Sequence, residues 1–154
     1  MGKEIERKFL VVGNQFKKLA KGIFYRQGFL CLENDNTVRI RIIEKNAFLT
    51  IKSKTRGISR LEFEYEIPFD EANEMLEKLC GKQIEKLRYT IELKGFMWEI
   101  DEFLGENKGL VIAEIELESE DQFFKKPSWI GEEVSKDLRF YNSQLVKNPY
   151  KNWK

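Results

Sequence analysis

The amino-acid sequence predicts an α+β protein, mainly β, built on a closed eight-stranded antiparallel β-barrel that amphipathic helices cover. Three observations lead to this fold class. Apolar and polar residues alternate with period two in eight segments, as in half-buried strands. Short turns separate most of these segments, which favours antiparallel neighbours. The length of 154 residues, without linker-like composition, predicts one domain over residues 1–154.

The predicted strands follow one another with few interruptions. Turn residues lie at Asn34-Asp35-Asn36, between the second and third strands, at Lys45-Asn46 and at Arg56-Gly57, and Lys94-Gly95 joins the sixth and seventh strands. The predicted strands are residues 3–11, 23–32, 37–43, 47–54, 60–67, 86–93, 96–103 and 110–118.

Four helices are predicted to cover the sheet. One is capped by Asp70, one begins near Asn14, one runs from Ser119 to Pro127, and the last is stopped by Pro149. The apolar stripe of the last helix comprises Val134, Leu138, Tyr141 and Leu145.

Composition excludes several function classes. The chain has no histidine, which removes histidine-activated nucleophiles and histidine-ligated metals. Its 27 Lys and Arg nearly cancel 26 Asp and Glu, so no general field indicates a nucleic-acid or membrane partner. No apolar run is long enough for a signal or a membrane span, and we expect a cytoplasmic protein. Cys31 and Cys80 lie far apart, which predicts buried packing residues.

Each predicted strand has one almost purely ionic face and one apolar face, because alternate side chains share a face. An ordinary barrel would expose its ionic face and bury the apolar one. We favour the opposite arrangement, since the amphipathic helices need an apolar outer surface and the charges are sorted by sign from strand to strand. The ionic face then lines a cavity for one small ligand.

Such a lumen requires water, a metal ion and a multiply charged guest, because burying so many ions dry would be prohibitive. Ten acids exceed seven bases by three, which favours a divalent cation. The bases are Lys8, Arg39, Arg41, Lys52, Lys54, Lys86 and Arg88, and the acids are Glu4, Glu6, Glu62, Glu64, Glu66, Glu99, Asp101, Glu114, Glu116 and Glu118.

The segment Glu4-Ile5-Glu6-Arg7-Lys8 resembles the N-terminal Glu-x-Glu-x-Lys motif of the CYTH superfamily, the triphosphate tunnel metalloenzymes. The resemblance extends over nearly the whole chain and includes Arg39-Ile40-Arg41, Lys86-Leu87-Arg88 and Glu114-Ile115-Glu116. It implies an eight-stranded tunnel, a triphosphate substrate and one or two Mg²⁺ or Mn²⁺ ions. Family members often form homodimers, so a homodimer is an expectation here.

The resemblance also implies roles for individual residues. The implied metal ligands are Glu4, Glu6, Glu114 and Glu116. The implied phosphate-binding residues are Lys8, Arg39, Arg41, Lys52, Lys54, Lys86 and Arg88. Hard carboxylate oxygens suit Mg²⁺ and Mn²⁺, and Arg and Lys suit phosphate. The candidate catalytic residues are Lys8, Glu62, Glu64 and Asp101; the last three could hold a second metal or act as the base.

We expect hydrolysis of the terminal phosphoanhydride bond of inorganic tripolyphosphate, and nucleoside triphosphates remain open as substrates. The alternatives are a class IV adenylate cyclase, a thiamine triphosphatase, and a non-catalytic sensor of polyphosphate or nucleotide. A nucleic-acid-binding barrel ranks last, because the aromatic residues alternate away from the bases.

Overall fold

The computed structural model describes residues 3–32 and 36–153. Its strands form one antiparallel sheet in the order β5-β4-β3-β2-β6-β7-β8-β1-β9, and pairing of β1 with β5 closes the first eight strands into the predicted barrel. The turn predicted at Asn34-Asp35-Asn36 falls largely outside the described residues. The strands are β1 Lys3–Val11, β2 Ile23–Cys31, β3 Thr37–Ile43, β4 Asn46–Lys52, β5 Ser59–Ile67, β6 Ile84–Leu93, β7 Phe96–Phe103, β8 Val111–Glu116 and β9 Ile130–Glu133.

The ninth strand was not predicted. One edge of β1 pairs with β8, and its other edge is shared: β5 pairs with residues 3–5 and β9 with residues 9–11. Backbone hydrogen bonds from Glu6 N to Ile58 O and from Val134 N to Lys8 O extend both pairings. β1 is therefore the strand on which three others meet.

Helical structure is shorter than predicted. Its longest described element is α1, Phe69–Lys78, and α2 spans only Asn142–Lys147. The helix predicted from Ser119 to Pro127 is wrong, since that stretch consists of turns and irregular chain. Short 3₁₀ helices occupy Gln15–Lys18, near the helix predicted at Asn14, and Gly105–Asn107, Leu138–Phe140 and Tyr150–Asn152.

The single final helix predicted up to Pro149 is also wrong. Residues 130–133 pair with β1, and the Asp137 side chain accepts a hydrogen bond from Arg139 N, which starts a separate turn. Leu138, assigned to the buried stripe, is 62% exposed. Cross-strand pairing has overridden the helical period.

α1 covers β3 and β4. Pro68 is its N-cap, so the prediction that Asp70 caps it is wrong; Asp70 lies in the first turn, where its charge favours the helix dipole. The buried side chains of Ala72 and Leu76 belong to the same cluster as Ile40, Ile42 and Ala47 on the outer faces of the strands.

β2 passes close beneath the end of α1. A Cβ on Gly28 would lie 2.9 Å from Cβ of Cys80 and 3.0 Å from Cδ2 of Leu76, so this contact requires glycine. Cys80 is half-buried and Cys31 is exposed, and the prediction that both are buried packing residues is therefore wrong.

A second apolar cluster lies on the outer faces of β1, β6, β7 and β8. Phe16, from the 3₁₀ helix, contacts Tyr89 edge-on, and Trp129 contacts Trp98. Here a short 3₁₀ helix and irregular chain cover the sheet where longer helices were expected. Among residues 3–32 and 36–153, no helix is both long and apolar enough to cross a membrane.

Candidate active site

The ionic strand faces point into the barrel and line a cavity of about 250 Å³. Its floor is deeply buried, since Lys86 is fully inaccessible to solvent, whereas Glu62, Glu64, Glu99 and Glu116 lie toward the exposed rim. The charged lining residues are Glu4, Glu6, Lys8, Arg39, Arg41, Lys52, Arg60, Glu62, Glu64, Lys86, Arg88, Glu99, Glu114 and Glu116.

One wall of the cavity, formed by β1 and β8, holds most of the predicted metal ligands. The strand register places Glu6 opposite Glu116 and Lys8 opposite Glu114. Nζ of Lys8 donates to Glu6 Oε1 at 2.9 Å and to Glu114. Burial alone would lower the pKa of Lys8, but Glu114 and Glu6 outweigh it and raise that pKa. Lys8 is thus held as a cation between two carboxylates.

The carboxylates of this wall fit a divalent cation in part. Oε2 of Glu4 is buried without a hydrogen-bond partner, although Nζ of Lys52 lies 3.1 Å away in poor hydrogen-bonding geometry. Burial and the carboxylates of Glu4, Glu62 and Glu6 raise the pKa of Glu116, which marks an excess of negative charge. A cation bound beside these two carboxylates would relieve both costs.

The described residues contain no preformed cluster of three metal-ligating side chains. Mg²⁺ in phosphate-handling sites is commonly held by one or two carboxylates, with substrate phosphates and water completing its shell. The donor set of Glu4, Glu6, Glu114 and Glu116 therefore fits an ion that binds together with a phosphate ligand.

The opposite wall carries the bases of β3 and β6. Asp101 accepts hydrogen bonds from Lys86 Nζ at 2.7 Å and from Arg88 Nε and Nη2 at 2.7 and 2.8 Å. Burial opposes the charged form of Asp101, but Arg88 and Lys86 outweigh it and hold its pKa at about 2. Burial, with Arg88 and Arg41 as like-charged neighbours, lowers the pKa of Lys86 to about 7.

The buried Arg39 guanidinium also has few hydrogen-bond acceptors around it to balance its charge. Its Nη2 donates to Thr50 Oγ1 at 3.2 Å and lies 3.7 Å from Glu64, while its Nε is buried without a partner. Burial and the neighbouring Arg41 lower the pKa of Arg39 to about 9. Such a group gains most from an incoming anion that supplies the missing acceptors.

Comparison with known proteins decides the family. The CYTH domain family matches residues 2–143. The chain belongs to the CYTH family. An inorganic triphosphatase from Acetivibrio thermocellus is 61% identical over 155 residues, covering 100% of this chain and 99% of that protein. An inorganic triphosphatase from Nitrosomonas europaea is 38% identical over 147 residues, covering 93% of this chain and 96% of that protein.

Solved structures share the CYTH barrel. The crystal structure of an inorganic triphosphatase has a TM-score of 0.65 and 33% identity, covering 92% of this chain and 96% of that chain. A conserved hypothetical protein from Pyrococcus furiosus, with a TM-score of 0.60 and 22% identity over 77% of this chain and 80% of that chain, shares the fold alone. The predicted closed eight-stranded barrel and the family resemblance are confirmed.

One end of the CYTH lumen is apolar. Leu10, Ile84, Phe103 and Ile112 continue the strand faces that carry Lys8, Lys86, Asp101 and Glu114, two residues away along each strand. They pack in one cluster with Phe140 and Leu145 from the C-terminal segment. We call Leu10, Ile84, Phe103 and Ile112 the apolar end of the lumen. Its ionic end is Lys8, Lys86, Asp101 and Glu114.

The C-terminal segment also contributes polar groups to the CYTH cavity, through Tyr141, Asn142 and Ser143. The Tyr141 ring centroid lies 4.9 Å from Lys8 Nζ and 5.5 Å from the Arg60 guanidinium carbon. Oδ1 of Asn142 accepts a hydrogen bond from Gln27 Nε2 at 3.0 Å and one from Lys86 Nζ at 3.3 Å.

Most of the predicted site residues meet in this cavity. Asp101 shares the inward face with Glu99 but is buried beneath Lys86 and Arg88, with which it pairs, and does not line the cavity. Lys54, Glu66 and Glu118 are exposed and do not line it, and Lys54 and Glu118 lie beyond the ends of β4 and β8.

Several lining residues were missed. Arg60 shares the period-two face of Glu62 and Glu64 and lies 3.6 Å from Glu6, so the alternation of β5 could have identified it. Thr50 lies on β4 two residues before Lys52, so the alternation of that strand contains it as well. The sequence places Tyr141, Asn142 and Lys136 on the last predicted helix, where reaching the tunnel mouth and ordinary packing or exposure explain them equally well; Tyr141 and Asn142 line the cavity and Lys136 does not. Gln27, buried in the wall beside the cavity, gave no signal, since an amide on a strand is ordinary.

Proposed function

We propose that this CYTH protein hydrolyses the terminal phosphoanhydride bond of inorganic triphosphate, with Mg²⁺ or Mn²⁺ as cofactor. One observation carries the proposal: a cavity of about 250 Å³ whose walls set the bases of β3 and β6, including Arg39 with an unbonded Nε, against the carboxylates of β1 and β8. A guest that is both polyanionic and metal-binding satisfies both walls. The names of the two triphosphatase relatives support the same substrate.

The basic wall is proposed to hold the phosphate oxygens. Arg39 is buried and Arg41 is half-buried, and both carry lowered pKa values, because burial and neighbouring cations disfavour their charge. Phosphate oxygens would remove that cost and accept from guanidinium forks. Lys52 and Arg88 add positive charge where negative charge spreads over the equatorial oxygens as the phosphoryl group transfers.

Glu4, Glu6, Glu114 and Glu116 are proposed to hold the divalent cation. Two observations support this assignment: the buried Oε2 of Glu4 accepts no hydrogen bond, and burial followed by neighbouring carboxylates raises the pKa of Glu116. When bound, the cation supplies charge neutralisation at the phosphate oxygens.

Water activation is proposed to use a carboxylate at the rim of the cavity, Glu62 or Glu64. Burial opposes the charge of Asp101, but Arg88 and Lys86 outweigh it and hold its pKa at about 2, so Asp101 orients these two cations rather than acting as the base. In the reaction, the water oxygen bonds to the terminal phosphorus, the bridging P–O bond breaks, the rim carboxylate takes the water proton, and diphosphate leaves with the electrons of the broken bond.

The test measures phosphate release from tripolyphosphate, ATP and thiamine triphosphate with Mg²⁺ or Mn²⁺, while ATP reactions are monitored for cyclic AMP. Glu6→Gln is compared with Glu71→Gln, the same change at an exposed position of α1. We expect tripolyphosphate to be the best substrate, and Glu6→Gln to reduce kcat/KM about a hundredfold or more, as losing a charge-stabilising group does. Cyclic AMP, or triphosphate binding without hydrolysis, would contradict the proposal.

A further inference from the structure

We infer that Gln27 and Asn142 form a neutral amide bridge that positions Arg41 and Lys86 for the triphosphate without cancelling the charge of either. The inference rests on the proposed function and adds two positioning residues to it.

The bridge is a continuous chain of hydrogen bonds along one wall of the cavity, from β3 through β2 and α2 to β6. Nε of Arg41 donates to Gln27 Oε1 at 3.0 Å, and Nε2 of Gln27 donates to Asn142 Oδ1 at 3.0 Å. The same Asn142 oxygen accepts from Lys86 Nζ at 3.3 Å. Arginine and a charged lysine only donate, so each end fixes which amide atom faces it. The orientation of both amides follows from the two cations.

Because Gln27 is buried, its amide group needs hydrogen-bond partners for both its oxygen and its nitrogen. Gln27 is fully inaccessible to solvent, and a buried amide is costly unless its donor and acceptor are both used. Here its oxygen is used by Arg41 and its nitrogen by Asn142. Asn142 is the first residue of α2, which is anchored by the buried Leu145. Through Asn142, the C-terminal segment therefore fixes the positions of Gln27 and Lys86 in the phosphate site.

The charge pattern indicates why the bridge consists of amides. Six of the lining bases have a carboxylate within ion-pair distance: Lys8, Arg39, Lys52, Arg60, Lys86 and Arg88. Within residues 3–32 and 36–153, Arg41 has no such partner, and its only hydrogen-bonded side chain is Gln27. A glutamate at this position would occupy the guanidinium. The glutamine holds Nε and leaves the terminal amines for phosphate oxygens.

The test replaces each amide by the carboxylate of the same shape, in Gln27→Glu and Asn142→Asp, with Gln15→Glu at an exposed position as the matched control. Tripolyphosphate affinity is measured by calorimetry and hydrolysis by kcat and KM, alongside thermal unfolding. We expect both variants to stay folded, with KM and Kd raised about tenfold or more, the factor for losing one charge-assisted contact. Gln15→Glu should match the wild type.

Three outcomes separate the possibilities. Folded Gln27→Glu and Asn142→Asp with wild-type KM and Kd would overturn the bridge. If Gln27→Glu does not fold, Asn142→Asp decides alone, because its position is only half-buried. A wild-type protein that binds tripolyphosphate without hydrolysing it would refute the proposed function, and the Kd comparison would still test the bridge.

Discussion

The ionic and apolar ends of the lumen are built by the same four strands, β1, β6, β7 and β8, yet hold opposite chemistry. Moving two residues along β6 exchanges the buried cation Lys86 for Ile84, and the same step along β7 exchanges Asp101 for Phe103. The Phe103 ring centroid lies 5.6 Å from Lys86 Nζ. The apolar end thus forms the dry floor that desolvates Lys86 and lowers its pKa.

The comparison teaches that the two ends depend on each other. Apolar packing stabilises the closed barrel and fixes strand spacing. The ionic end lowers stability, because its buried charged groups lose their hydration and must be compensated by ion pairs. Breaking each end in turn should separate these contributions.

The largest expected loss comes from the ionic end. Asp101→Asn leaves Lys86 and Arg88 buried beside a neutral group, and breaking a buried pair in this way costs about 3–5 kcal/mol. Urea unfolding measures it. Glu74→Gln, which breaks the exposed pair with Lys78, should change stability by only about 0.5 kcal/mol or less. A small effect of Asp101→Asn would mean that water already compensates these ions.

A comparable but smaller loss is expected from the apolar end. Leu145→Ala empties a fully buried position in the cluster that closes the lumen, at a cost of about 2–5 kcal/mol. Leu138→Ala, at a position 62% exposed, is the control and should cost well under 1 kcal/mol. Equal unfolding free energies for the two variants would show that the C-terminal segment does not seal the barrel.

Lowering the pH should reduce the unfolding free energy through the ionic end, since the apolar end has no titratable group. This is the smallest of the three predicted effects on stability. Asp101 has a folded pKa of about 2 against an ordinary 3.8, because Arg88 and Lys86 outweigh its burial, so the unfolded chain binds more protons between these values. Stability therefore falls as pH drops from about 4 to about 2, by roughly 2 kcal/mol from this group. Unfolding curves at several pH values measure the slope. Leu145→Ala should run parallel to the wild type, and Asp101→Asn should be flatter.

The barrel and most of its lining were predictable because alternation is a local property of each strand. Glu4, Glu6 and Lys8 fall on one face by position alone, whichever strand lies beside them. Alternation also predicted that Lys54 lines the cavity. It does not, because β4 ends at Lys52 and the chain beyond it no longer alternates.

What could not be predicted depends on contacts between distant segments. β9 is only four residues long and exists by pairing with β1, and Asn142 joins the cavity because α2 docks on the apolar end. The apolar end itself was not predicted, because Leu10 and Ile84 are apolar strand residues that the sequence pattern does not distinguish from those on the outer face. Their place inside the lumen depends on how the C-terminal segment closes the barrel.

The meeting of three strands on β1 has a consequence for synthesis. Lys8 pairs across 106 positions with Glu114, so β1 leaves the ribosome long before its neighbours β8 and β9 exist. An unpaired strand carrying Ile5 and Phe9 invites aggregation, and charges along such a strand are a common protection. Glu4, Glu6 and Lys8 alternate with those apolar residues. The charges proposed for triphosphate chemistry would thus also keep the nascent strand from pairing with the wrong partner.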